Sequence, residues 1–139
     1  MRYLLDTQVW LWLQVSPERL RPEVLVDFGA PGTRLYLSVA SAWEIAIKFG
    51  LGKLPLPEPP GSYVPSRCAA QGIEVLTIEL AEAVAVSELP MHHRDPFDRL
   101  LVCQARRLGL TLVTVDSALE AYDVRRLDPT GGSSPKASA

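Results

Sequence analysis

The sequence predicts an α/β domain in which a central parallel sheet carries helices on both faces. Short apolar or β-branched runs at residues 2–5, 35–37, 73–78, 111–115 and 124–127 read as strands. Stretches between them place apolar residues three and four apart, the spacing of helices that bury one face. Glycine and proline clusters separate the two kinds of segment. Strands alternating with helices favour parallel pairing through helical crossovers. At 139 residues the chain fits one domain, which buries roughly two-thirds of its surface on folding.

Arg2 to Leu5 is a mostly apolar run that ends at Asp6, consistent with a buried strand. Asp6-Thr7 opens a helix over 8–14 that contains Val9, Trp10, Leu11, Trp12 and Leu13. Ser16-Pro17 opens a second helical region to Phe28, reset by Pro22. Gly29-Ala30-Pro31-Gly32 breaks the chain before the strand 35–37. Val39, Ala42, Trp43, Ala46 and Phe49 then recur at helical spacing and read as the buried stripe of a helix over 39–49, ended by Gly50 and Gly52. Pro55, Pro57, Pro59 and Pro60 make the following segment a surface loop. A helix over 61–71, a strand over 73–78 and a helix over 79–88 come next. His92-His93-Arg94-Asp95 is a polar loop before a helix over 96–108, which Gly109 stops. A strand over 111–115, a short helix over 117–122 and a strand over 124–127 complete a domain spanning 1–128. The segment 129–139 is rich in Gly, Ser, Pro and Ala and reads as a disordered tail.

Composition narrows the function classes. Apolar residues are 47% and charged residues 22%, ordinary for a soluble globular protein. No apolar run approaches the roughly 20 residues of a membrane span, and Asp6 interrupts the start where a signal peptide needs apolar length. The expected location is the cytoplasm, with no membrane partner. Cys68 and Cys103 lack metal-ligand or disulfide spacing and read as buried free thiols. The net charge is −2, yet without Asp6, Glu44, Asp98 and Asp116 the chain holds 12 acidic against 14 basic residues. That remainder is compatible with a phosphate backbone and does not demonstrate one.

Those four acids carry the chemistry. Asp6 and Asp116 each follow directly on a strand, at the edge where open α/β sheets bind their ligands. Glu44 borders the stripe of its helix, and Asp98 stands one turn before Leu101 and Val102. Each has a structural reading as well. Asp6 and Asp116 suit N-caps. Ser41-Ala42-Trp43-Glu44 matches a capping box, and Glu44 also suits a pair with Lys48. In Asp95-Pro96-Phe97-Asp98, Asp95 reads as the N-cap and Asp98 as an acid at the positive end of the helix dipole. Taken together, the four converge on one edge. Two unit charges about 5 Å apart repel by about 3 kcal/mol at an effective dielectric near 20. A hard divalent cation is the natural remedy, and such an ion suits phosphoryl chemistry.

At these residues the sequence also resembles the PIN-domain family, and within it the VapC-type toxins of bacterial toxin–antitoxin pairs. The matching segments are Leu4-Leu5-Asp6-Thr7, Ser41-Ala42-Trp43-Glu44-Ile45-Ala46-Ile47-Lys48, His93-Arg94-Asp95-Pro96-Phe97-Asp98-Arg99-Leu100-Leu101 and Thr111-Leu112-Val113-Thr114-Val115-Asp116. They stand in the family's order across residues 2–127. The resemblance implies a single PIN-like domain and a Mg²⁺- or Mn²⁺-dependent endoribonuclease that cleaves single-stranded or loop RNA. It implies that Asp6, Glu44, Asp98 and Asp116 hold the metal, with Thr7 and Thr114 as hydroxyls that orient carboxylates. It further implies a homodimer and a small antitoxin whose tail covers the acidic pocket. The preference for RNA comes from the resemblance alone.

Other residues read more weakly. Arg94 and Arg99 flank the third motif's acids and suit phosphate, although solvated or salt-bridged arginines fit equally. His92 and His93 lack a partner in sequence and read as inert loop residues. Trp10 and Trp12 read as core in preference to a dimer face. Two rival functions stand beside the nuclease toxin. One is another metal-dependent phosphoryl enzyme, a DNA nuclease or a phosphatase. An aspartyl-phosphate enzyme wants a second acid after the first strand, where this chain has Thr7-Gln8. The other is a non-catalytic RNA-binding or partner-binding module, which loss of an acid would favour.

Overall fold

The computed structural model describes residues 1–131. Its strands are β1 (Arg2–Leu5), β2 (Arg34–Ser38), β3 (Glu74–Leu76), β4 (Thr111–Val113) and β5 (Arg126–Leu127). Its α-helices are α1 (Thr7–Val15), α2 (Pro22–Phe28), α3 (Val39–Gly50), α4 (Pro60–Gln71), α5 (Leu80–Ala85) and α6 (Pro96–Leu108). Single 3₁₀ turns occupy Pro17–Arg19, Val86–Glu88 and Ser117–Ala121. All pairings are parallel, in the order β3-β2-β1-β4-β5. This is the α/β architecture that the sequence predicts.

The period-2 alternation of strand side chains sorts the sheet residues onto two faces. Tyr3, Leu5, Leu35, Leu37, Val113 and Leu127 pack with Val9, Trp10, Phe28, Ile45 and Tyr63 on one side. Leu4, Tyr36 and Leu112 pack with Leu101, Val102 and Ala105 of α6 on the other. Trp10 is fully buried, edge-on to Tyr63 at 6.0 Å, as its core reading requires. Both cysteines are buried and free. Pro22, Pro60 and Pro96 each open a helix, where a missing N–H costs nothing. Gly109 closes α6 at φ 68°, a conformation that favours glycine. Among the described residues no helix is long and apolar enough to cross a membrane.

Several expectations are corrected. The stripe Val39, Ala42, Trp43, Ala46 and Phe49 is not the buried face of α3. Val39 and Trp43 are exposed, and Ala40, Ser41, Glu44 and Ile45 are buried instead. Periodicity favoured the wrong face because two of the buried residues are polar. The helix is capped by Ser38, which accepts from Ala40 N at 3.0 Å, so Ser41 and Glu44 form no capping box. The strand 111–115 stops at Val113, and Asp116 lies three residues past it on a turn. Thr114 N still donates to Leu127 O, and the Thr114 hydroxyl accepts from Asp116 N, which bends the chain out of the ladder. The helix expected over 117–122 is the 3₁₀ turn. Within the expected tail, Pro129 O accepts from Arg21 N, and Asp128 accepts from Thr130 N and Gly131 N. The rest of that tail lies outside the described residues.

The segment between α5 and α6 carries no regular structure beyond Val86–Glu88, and Arg99 holds it. The Arg99 guanidinium is buried, and it donates to the carbonyls of Val86 (2.9 Å), Pro90 (3.1 Å) and His93 (3.3 Å), and to the Tyr122 hydroxyl (3.3 Å). Arg99 is therefore not a phosphate contact, because its donors are spent inside the domain. Replacing it by methionine strands several part-buried carbonyls and should cost about 3 kcal/mol in a denaturant melt. A change within about 0.5 kcal/mol, typical of a surface position, would contradict this role.

Candidate metal centre

Asp6 leaves β1 at the centre of the sheet, where its N–H donates to Val113 O at 3.0 Å. Its Oδ1 accepts from Val9 N at 2.7 Å and caps α1. Asp116 caps the 3₁₀ turn, with Oδ1 accepting from Ala118 N at 3.0 Å. Asp98 sits in the first turn of α6, whose start is fixed by the Asp95 cap on Phe97 N at 2.8 Å. Glu44 is on the buried face of α3. These elements bring Asp6, Glu44, Asp98 and Asp116 to one cavity of about 340 Å³, beyond the carboxyl ends of β1 and β4. Asp95, Thr7, Lys48 and Lys53 also line it.

Each acid has a designated donor or neighbour. Glu44 accepts from the Thr7 hydroxyl at 2.6 Å and from Lys48 Nζ at 2.7 Å. The Thr114 side chain hydrogen-bonds Asp6. His93 Nε2 lies 2.7 Å from Asp116 Oδ2 and 3.5 Å from Asp98 Oδ2. Burial pushes the Asp6 carboxyl up to about 6, with Glu44 and Asp116 adding to the rise against the Thr114 and Val9 hydrogen bonds. Burial likewise pushes Asp98 up to about 7, helped by the charges of Asp95, Asp6 and Asp116 and opposed by His93. The Glu44 hydrogen bond holds the Lys48 ammonium above its ordinary value.

The structure thus gathers the four predicted acids and sets Thr7 and Thr114 against two of them. It leaves Arg94 exposed outside the cavity lining, and it turns Arg99 inward. Sequence reasoning missed His93, because its partner is 23 residues away on another element. It read Lys48 only as the partner of Glu44, and it missed Lys53, an exposed cation in the cavity wall with no ion pair among the described residues. The tract of prolines that follows Lys53 hid that proximity.

The donor set fits a hard divalent cation. Its oxygens are carboxylates, and burial together with neighbouring acids raises two of the carboxyls, Asp6 to about 6 and Asp98 to about 7. His93, Asp98 and Asp116 offer ligand atoms within 4.8 Å of one another. Carboxylate and water oxygens suit Mg²⁺ or Mn²⁺.

Comparison with known proteins shows the family and the fold. The family model described as PIN domain matches residues 3–125. Ribonuclease VapC16 of Mycobacterium tuberculosis is 55% identical over 47 residues, a stretch covering 34% of this chain and 33% of that protein. The match therefore spans about a third of that curated relative. VapBC2 from Rickettsia felis bound to a promoter DNA fragment aligns with TM-score 0.68 at 16% identity, over 92% of this chain and 100% of that one. DNA-bound VapBC from Salmonella typhimurium aligns with TM-score 0.68 at 20% identity, over 92% of this chain and 98% of that one. At such identities the two structures show a shared fold.

Raised carboxyl pKa values give a signed prediction. Between the unfolded value of 3.8 and the native values of about 6 and about 7, the folded metal-free protein binds more protons than the unfolded chain. Its stability should therefore fall as pH rises through that window. Denaturant melts in chelator from pH 5.5 to 8 should show the decline. Asp98→Asn should flatten it and, allowing for solvent screening, be the more stable protein at pH 8 by about 1 kcal/mol. A variant less stable by about 0.3–1 kcal/mol, with an unchanged pH slope, would reduce Asp98 to a partner of the helix dipole.

Proposed function

The chain belongs to the PIN-domain family, and from that premise we propose that it is a metal-dependent endoribonuclease, the toxin of a type II toxin–antitoxin pair acting in the cytoplasm. The observation that carries this reading is the convergence of Asp6, Glu44, Asp98 and Asp116 on one cavity. No acid is missing, which weighs against a non-catalytic module.

Asp6, Glu44, Asp98 and Asp116 would hold Mg²⁺ or Mn²⁺. When bound, such an ion supplies positive charge to the phosphate and activates water. The chain's own residues do the rest. Thr7 and Lys48 fix the Glu44 carboxylate from both oxygens, and Thr114 fixes Asp6. Lys53 at the cavity wall, and the exposed Arg94, are cations free to meet the flanking phosphates of a polynucleotide. The motif residues give no ribose-specific signal. RNA as substrate rests on the family resemblance and on the relative named a ribonuclease.

The protein partners follow the same reading. A small antitoxin would place a basic side chain among the carboxylates, where charge-assisted hydrogen bonds are strong. The exposed stripe Val39, Trp43 and Ile47 on α3, continued by Leu51 at its C-cap, offers apolar surface of the kind that marks protein contacts, and a homodimer is the proposed state.

Cleavage of structured cellular RNA should vanish in chelator and return with Mn²⁺ or Mg²⁺ but not with Ca²⁺ alone. Activity undiminished by exhaustive chelation would sink the mechanism. Co-expression with a small protein encoded beside this chain should yield a tight complex without nuclease activity. A complex that forms yet cleaves RNA at the free protein's rate would contradict inhibition through the carboxylates.

A further inference from the structure

His93 stands outside the carboxylate set, yet hydrogen bonds hold both its backbone and its ring beside it. Its backbone is held from both sides. The N–H donates to the Tyr122 hydroxyl at 3.0 Å, and the carbonyl accepts from the buried Arg99 guanidinium at 3.3 Å. That guanidinium also donates to the same Tyr122 hydroxyl, so one buried pair from α6 and the end of the 3₁₀ turn clamps the loop at this residue. The ring is then fixed at both nitrogens. Asp95 N donates to Nδ1 at 2.9 Å, and Nε2 lies 2.7 Å from Asp116 Oδ2.

The first of those contacts decides the chemistry of the second. A backbone N–H always donates, so Nδ1 must be the unprotonated nitrogen. The ring proton is therefore on Nε2, which makes it a donor to Asp116. A proton on Nδ1 would face the Asp95 N–H, so this geometry places the ring's donor to Asp116 at Nε2. Asp116 consequently accepts one hydrogen bond at each oxygen, Ala118 N at Oδ1 and His93 Nε2 at Oδ2. Two donors from opposite ends fix the plane of the carboxylate and leave each oxygen a lone pair for a cation. Nitrogen ligation by His93 would need Nε2 stripped of its proton, with no acceptor at Nδ1 to take it.

We propose that His93 is a positioning residue that orients Asp116 for the metal by an Nε2–H hydrogen bond, and is not itself a ligand. Carboxylates that bind metals are commonly held by such outer hydrogen bonds, and losing one typically costs about 10- to 100-fold in metal affinity or activity. This inference rests on the reading of the carboxylates as the metal site.

Two measurements test it. Nitrogen NMR of the imidazole should show Nε2 protonated and Nδ1 unprotonated in chelator, and the same tautomer after saturation with Mg²⁺. Calorimetric titration with Mn²⁺ should show His93→Ala and His93→Asn binding at least 10-fold more weakly than the parent. His93→Gln, whose amide nitrogen can reach the position of Nε2 and donate, should recover most of the loss. A proton on Nδ1, or its transfer there on adding Mg²⁺, would overturn the proposal in favour of ligation. Equal Mn²⁺ affinity in the parent and His93→Ala would overturn it while leaving the metal site intact. A parent that binds no Mn²⁺ would overturn the metal site itself and this proposal with it.

Discussion

Four carboxylates within one partly buried cavity repel each other, and the surrounding structure is arranged to hold them there despite it. Two unit charges about 5 Å apart cost about 3 kcal/mol at an effective dielectric near 20. The protein meets that cost with local donors: Thr7 and Lys48 at Glu44, Thr114 and Val9 N at Asp6, Ala118 N and His93 at Asp116. These do not suffice. Asp6 and Asp98 still favour their protonated forms well above the usual carboxylate range. The remaining electrostatic deficit is a driving force for cation binding built into the fold.

Capping and ligation prove compatible at these positions. Asp6 and Asp116 each spend one oxygen on a backbone N–H, which pins the carboxylate to the start of a rigid element. Pinning is what a metal site requires, because a ligand held in place loses less freedom on binding. Asp95 takes over the capping of α6, which leaves Asp98 one turn along to face the cavity. The acidic motif around Pro96 thus divides two tasks between two aspartates.

Much of this was legible in the sequence, for reasons that differ by residue. Asp6 was found because β1 is short, apolar and ends there, and Asp98 because Asp95-Pro96 is a strong helix start. Glu44 was found beside the wrong stripe: the buried face of α3 includes Ser41 and Glu44, and hydrophobic spacing cannot see a face that is buried for polar reasons. Asp116 was placed at a strand end that lies three residues earlier, because Thr114 and Val115 have β-branched side chains without the full ladder. Arg99 and His93 were misread for one reason. Their partners are the carbonyls of an irregular loop and residues of the segment 116–122, contacts that only the tertiary fold creates. The sequence therefore exposed what short-range rules govern, and it concealed the clamp that steadies the site.

The central claim is that burial, together with the acids around them, raises the Asp6 and Asp98 carboxyls, and that a divalent cation relieves them. Carboxyl carbon NMR titration of the aspartates, in chelator and in saturating Mg²⁺, measures this most directly. In chelator two aspartates should titrate near 6 and 7, and with Mg²⁺ both should drop to about 4 or below, because the ion favours the charged form. Aspartates that all titrate near 4 in chelator, and do not move when Mg²⁺ is added, would contradict the account.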